Sequence, residues 1–452
     1  MEDLFAFFKP LLDFFHFDPV TFINNYGDNP FAAMGYLFLN GGWLFLIWLA
    51  WQIAIHEWQH YRQHEWDHHK RHPVTLTIDI PKMHEQTPRA IDNMFAFLAG
   101  GHSPNTWVET WFDGKTQDTI SMEIVSIEGA VRFYIHTTTT LRDLVESAIY
   151  AQYPEAVITE VEDYAKKVNK HLPDEETDCW ATEMVPVKSD IFPLRTYPMF
   201  EDKVSGEFKD PLSALLESFS RIGTGEQLWY QIVLTPIDQK DYQKKVEEYV
   251  KKLTGQRVEH KESLVSKIAT VPSALVTAIV SDAFGIGFGG EKKKGGDSSQ
   301  RSNVQFLTEG EKIIVAGIEM KASKIVFLAN IRFIYVAKKD KMMKSRATFP
   351  FVGAMKQFNT NNMQSIKPET KRVGVSGALW FFKAQRNRSR KLRLMTAYQN
   401  RSNWLGNPKW HLCTEELASL WHFPLTTQVK APQLSKTAAK RTEPPINIPF
   451  AP

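Results

Sequence analysis

PVTLTIDI, residues 73–80, sets Val74, Leu76, Ile78 and Ile80 against Thr75, Thr77 and Asp79. An apolar period of two predicts a half-buried strand, and the text downstream of it decides the fold. Residues 87–98 read as a helix stopped by Gly100-Gly101. Residues 107–112, 120–127 and 131–136 read as strands, separated by Asp113-Gly114 and Glu128-Gly129 turns. Residues 141–150 are helical, with Leu141, Leu144, Ala148 and Ile149 on one side. Pro154 breaks that helix, and residues 156–161 supply a last strand. The order β-α-β-β-α-β, with one extra hairpin strand, predicts a ferredoxin-like sandwich over residues 73–165 of an α+β chain.

A second α+β unit is expected over residues 178–370, after a linker at 166–177. Its elements are a helix at 212–222, a strand at 227–237, a charged helix at 241–253, a helix at 310–323, a strand at 325–337 and a helix near 347–358. The absence of a residue-level repeat makes a second ferredoxin-like unit a matter of element order alone. An insertion at 258–305 interrupts it. Leu264, Ile268, Val271, Leu275 and Ile279 form one apolar stripe, suited to a membrane surface, a partner or the protein's own core. Residues 284–303 are a polar linker, and the glycines from Gly285 to Gly290 lack the strand–turn–helix setting of a phosphate loop.

Upstream of the first strand, residues 34–55 run for 22 positions without a charge. At about 1.5 Å per residue such a helix spans a bilayer core of roughly 30 Å. Trp43, Trp48, Trp51 and Trp58 add the aromatic character of a membrane boundary. A signal peptide fits worse, because no basic segment precedes the run and no small-residue cleavage site follows it. Residues 1–33 carry one Lys or Arg and residues 56–89 carry five. The expectation is therefore a single pass through the inner membrane, with the bulk of the chain in the cytoplasm. Phe5, Phe7, Phe8, Leu11, Leu12, Phe14 and Phe15 suit an interfacial segment on the far side.

Residues 56–72, HEWQHYRQHEWDHHKRH, hold six of the 14 histidines. On a continuing helix His56, His60, His64 and His68 stack along one face. His56-Glu57-Trp58-Gln59-His60 matches the H-E-x-x-H pattern, in which two imidazoles bind zinc and the glutamate activates water. A zinc hydrolase with His64 or Asp67 as third ligand is the alternative reading. The preferred one is a solvated juxtamembrane helix, since a run this rich in histidine produces the pattern by chance.

With 43% hydrophobic and 23% charged residues, the 452-residue chain has the apolar content of two or three packed domains and not of a disordered polymer. Lys plus Arg is 54 against 51 for Asp plus Glu, which excludes a histone-like or polyanionic chain. Cys179 and Cys413 are the two cysteines, too few for a disulfide framework or a four-cysteine zinc site. No G-x-x-x-x-G-K-[ST] and no G-x-S-x-G occurs, so neither a Walker loop nor a serine elbow is present, and no cofactor is expected. Nucleic acid, anionic lipid or an acidic partner would meet the basic region 371–429. There Lys383, Arg386, Arg388, Arg390, Lys391 and Arg393 cluster beside Trp380, Phe381, Phe382 and Tyr398. A plain solvated surface is the alternative. Residues 430–452 form a proline-rich tail.

Several stretches together resemble a known family: AQYP (151–154) with VEDY (161–164), GEQLW (225–229), NIRFIYVA (330–337), FNTNNMQSIKP (358–368), TEELASLWHFP (414–424) and KRTEPP (440–445). They are similar to the membrane-anchored N-terminal region of type IV secretion ATPases of the conjugative coupling and FtsK–HerA type, in the versions of candidate phyla radiation bacteria. The resemblance covers residues 73–260 and 300–449. It implies a non-enzymatic component of a secretion or DNA-translocation apparatus, self-assembling or docked on a Walker-containing ATPase paralogue or other secretion components. In the family a motor follows the Pro-Pro segment. This sequence stops at Pro452, so the expectation is a platform without its motor.

Overall fold

Strand β1 (Pro73–Asp79) forms where the alternation predicts it, but Thr75 and Thr77 are buried along with Leu76 and Ile78. The computed structural model describes residues 30–38, 43–81, 86–201, 208–253, 308–370 and 382–424. Two units separate: Met1–His72 with Ser103–Gln117, and Pro73–His102 with Asp118–Pro452. The 264–279 stripe, the 284–303 linker, the first 29 residues and the 430–452 tail lie outside the described residues.

In the larger unit β1 is followed by α3 (Pro88–Leu98), β2 (Ile120–Ile127), β3 (Ala130–Thr138), α4 (Thr139–Gln152) and β4 (Val157–Glu160). The chain then enters β5 (Thr177–Pro186), α5 (Ser213–Ser220), β6 (Glu226–Pro236) and α6 (Gln239–Leu253). After the insertion come α7 (Glu309–Ala322), β7 (Val326–Lys338), α8 (Lys344–Lys356) and β8 (Ile366–Pro368). Last are α9 (Lys383–Gln399), β9 (Trp410–Cys413) and α10 (Thr414–Leu420). The strands form one antiparallel sheet in the order β4-β1-β3-β2-β6-β7-β5-β8, with β9 on β7. The first half has the order β-α-β-β-α-β; the second has the same order with α6 and α7 inserted between its middle strands β6 and β7. In each the fourth strand lies outside the first, the third is next, and the second is innermost. The two innermost strands pair antiparallel from Ile120↔Leu234 to Ile127↔Gln227, which makes one sheet of both halves.

Several elements depart from the sequence expectation: β5, β8, α9, β9 and α10 form where no element was expected, and one expected strand is a helical turn. Residues 107–112 are not a hairpin strand, because Glu109 accepts hydrogen bonds from the Thr106 amide (2.8 Å) and hydroxyl (2.9 Å) and caps a helical turn that continues as a π-turn over Glu109–Asp113. β5 is unannounced by alternation, because Cys179, Trp180, Ala181, Thr182, Glu183 and Met184 are all buried; a strand covered on both faces has no polar side to alternate with.

One sheet face carries helices. Ser126 on β2 donates to the Phe219 carbonyl of α5 (2.6 Å), Tyr230 on β6 to the Leu420 carbonyl of α10 (3.2 Å), and Phe333 on β7 stacks on Phe351 of α8 at 3.8 Å. One continuous core runs through both halves. α9 and the turn after it cover the other face, reaching Gln231 and Arg332.

In the smaller unit, α1 (Pro30–Leu37) and α2 (Trp43–His69) occupy the stretch expected to cross a membrane. Among the described residues no helix is long and apolar enough to do so. The uncharged part of α2, WLFLIWLAWQIAI, covers about 20 Å at the usual helical rise, short of a hydrocarbon core of roughly 30 Å. Residues 39–42 between the two helices lie outside the described residues.

Candidate functional site

Among the described residues, the apolar part of α2 is mostly exposed. Leu46, Ile47, Trp48, Leu49, Trp51 and Ile53 are all exposed, Trp51 to 63% and Ile47 to 56%. At 100° per residue these positions go round the whole helix, so no single partner face covers them. Water-facing helices keep such residues on one stripe.

His56, Glu57, His60 and His64 follow on the same helix, all exposed. The motif is therefore on a helix, as a zinc site requires. Among the described residues, however, no three His, Cys, Asp or Glu converge to hold a metal. Of the acids nearby, Glu65 pairs with Arg62 (2.5 Å) and Asp67 with Arg71 (2.8 Å).

The larger unit holds a polar row that no motif announces. Glu123 on β2 stands beside Gln231 on β6, Gln231 beside Arg332 on β7, and Arg332 beside Glu183 on β5, each pair in direct register. All four are buried. Gln231 donates to Glu123 (2.9 Å) and Arg332 to Glu183 (2.9 Å) and Gln231 (3.2 Å). Arg332 also donates to the carbonyls of Ala397 (3.2 Å), Ser402 (2.5 Å) and Leu405 (2.9 Å). Arg401 closes the row from above, donating to Glu123 (3.0 Å) and to Asp163 (2.5 and 2.9 Å), while Asn407 donates to Glu183 (2.6 and 2.8 Å). Burial pushes the Glu123 carboxyl up, but the Arg401 charge and hydrogen bonds outweigh it and bring it down to about 2. These groups satisfy one another, so the row is a brace fixing α9 and the 400–409 turn across the join of the two halves. It offers no open nucleophile or proton acceptor.

α9 carries the expected basic cluster, and the structure divides it. Lys383, Arg386, Arg388 and Arg393 are exposed. Arg390 and Lys391 are buried: Lys391 pairs with Asp178 of β5, and Arg390 lies 3.5 Å from the Thr370 carbonyl. These two point inward because they share the helix face of Leu394, Met395 and Tyr398. Tyr398 is lost to base stacking as well. Its ring packs on Trp229 at 5.1 Å and its hydroxyl meets that of Tyr164 at 2.7 Å, both buried. Phe382 is exposed, and Trp380 and Phe381 lie outside the described residues. Four cations and one aromatic of the cluster remain exposed.

The family described as Domain of unknown function (DUF8128) matches residues 62–436, which takes in the charged end of α2, the whole sheet and α9. No curated protein matches the chain.

Proposed function

This chain belongs to the family of the Domain of unknown function (DUF8128), and on that premise we propose that it is a membrane-tethered, non-enzymatic docking platform of a secretion or DNA-translocation apparatus. The observation that carries the membrane part is the apolar end of α2, whose exposed residues Leu46, Ile47, Trp48, Leu49, Trp51 and Ile53 point in directions all round the helix. Lipid solvates such a helix from all sides, whereas a protein groove covers one face. In this reading residues 34–55 anchor the chain in the inner membrane and the sheet unit lies in the cytoplasm, on the side of the cations that follow the helix.

The platform part rests on the sheet. Each half has the strand order of a ferredoxin-like sandwich, the second with α6 and α7 inserted between its middle strands, and we read the larger unit as two such sandwiches joined edge to edge. The buried polar row holds the join and leaves no reactive group open, which supports a body that binds rather than one that turns over substrate. The resemblance to coupling ATPases names the partners: a Walker-containing paralogue, other secretion components, or further copies of this chain. Nucleic acid or an acidic protein surface would meet Lys383, Arg386, Arg388 and Arg393. The zinc-hydrolase alternative is less favoured, because His56 and His60 find no converging third ligand among the described residues.

Crosslinking the full chain in native membranes tests this function. The expected product links the chain to a Walker-containing ATPase or to copies of itself. A chain that stays partnerless, or that hydrolyses ATP or peptides when purified, would contradict it.

A further inference from the structure

We propose that residues 103–117 form a second membrane contact, a tryptophan-bearing loop that enters the interfacial layer of an anionic phospholipid bilayer beside α2; this rests on the reading above that α2 enters the membrane.

Trp51, Ala54, Ile55 and Trp58 of α2 line an open groove of about 520 Å³, and Trp107 and Trp111 of the loop complete it. The lining is apolar apart from four indole N–H groups. An indole has an apolar body and one polar tip, the combination enriched where acyl chains meet headgroups. The position along α2 agrees. Trp51 and Trp58 bracket the point where the uncharged run ends and His56 and Glu57 begin. The loop adds an apolar outer surface, with Trp107 66% and Val108 56% exposed and Phe112 also exposed. Trp107 packs on Phe112 at 5.8 Å and on Trp111 at 6.4 Å, so the rings act as one patch.

The loop is held to α2 and to the residues just after it by several bonds. Arg62 donates to the Phe112 carbonyl (2.6 Å) and Arg71 to the Thr116 hydroxyl (2.7 Å). Glu109 of the loop pairs with Lys115 at 2.9 Å, which neutralises that acid. Gly114 has φ 73° and lies against the Arg62 backbone so closely that a Cβ would collide with that carbonyl. The patch is thus fixed at one level of α2, with a charged stretch just beyond it in which Arg62 pairs with Glu65 and Arg71 with Asp67, and to which Lys70, His60, His64 and His69 add basic groups. That order, apolar helix, then indoles, then a charged stretch rich in basic groups, matches the acyl, glycerol and headgroup layers of a bilayer.

Single cysteines at Val108→Cys and Ile47→Cys, each carrying a nitrobenzoxadiazole fluorophore, test the proposal in full chain reconstituted with phosphatidylcholine–phosphatidylglycerol vesicles. Cys179 and Cys413 are buried and do not compete for the label. Both probes should shift to the blue and lose intensity to spin-labelled lipid. At Val108 the headgroup-proximal spin label should quench more than the deep one, and Gly114→Ala should abolish the Val108 response while Ile47 keeps its own. Quenching at Ile47 with silence at Val108 would overturn the loop proposal and leave the α2 reading intact. Silence at both sites would remove the membrane reading and the loop with it. A Val108 shift that needs no vesicles and grows with protein concentration would assign the groove to another protein surface, which also overturns the proposal.

Discussion

Arg401 places its guanidinium 3.0 Å from the Glu123 carboxylate across 278 residues of chain, and both side chains are buried. The pair fastens the turn after α9 to the strand at the join of the two halves. Arg401→Ala leaves Glu123 and Asp163 as buried acids without their cation, a change that costs about 3–5 kcal/mol. A lowered urea midpoint for the full chain is the expected result, partly restored by Glu123→Gln in the same protein. An Arg401→Ala chain with native stability would mean that the brace holds nothing.

Acid should loosen the same region in two steps. Burial, reinforced by the Arg401 charge, lowers His136 from 6.5 to about 4. The unfolded chain then binds the extra proton between those values, so stability falls as pH drops through that window. Glu123 is lowered from 4.5 to about 2; its contribution is complete above 4.5 and is lost as pH falls towards 2. Thermal midpoints measured against pH should decline below about 6.5, and His136→Gln, which retains a partner for Thr75, should flatten the upper step. An identical profile in the variant would contradict the assignment.

The α9 cations should separate by burial. Lys391→Ala removes the partner of Asp178 and should destabilise by roughly 1–3 kcal/mol with little effect on anion binding. Arg386→Glu with Arg393→Glu should leave the thermal midpoint nearly unchanged, reducing any retention of nucleic acid with a steep salt dependence. Heparin and single-stranded DNA columns run at two salt concentrations distinguish the outcomes. Equal retention by the double variant would leave α9 as a plain solvated face.

Gly406 has φ 118°, and a Cβ there would collide with the Glu183 carboxylate that Asn407 and Arg332 hold. Gly406→Ala should therefore cost well over the roughly 0.5 kcal/mol that bounds most surface changes. A native-like melting curve for Gly406→Ala would show that the 400–409 turn tolerates displacement.

Much of the sheet was legible because its strands alternate or end at turns: β1, β2, β3, β6 and β7 lie where periodicity places them. β5 was hidden by burial on both faces. The 107–112 stretch misled because its apolar residues cluster like a strand, although Thr106-x-x-Glu109 is a capping signal readable in the text. The polar row was beyond reading, since Glu123, Glu183, Gln231, Arg332 and Arg401 meet only after the strands take their register. The α9 cluster was half legible. Helical phase puts Arg390 and Lys391 with Leu394, Met395 and Tyr398, but a charge run alone conceals that division.

The membrane tether is tested most directly by labelling a Glu319→Cys chain, whose site is exposed on the sheet unit, with a membrane-impermeant maleimide before and after the cells are permeabilised. The account predicts that the chain stays with the membrane through alkaline extraction and reacts only after permeabilisation. Release into the soluble fraction, or labelling on intact cells, would contradict it.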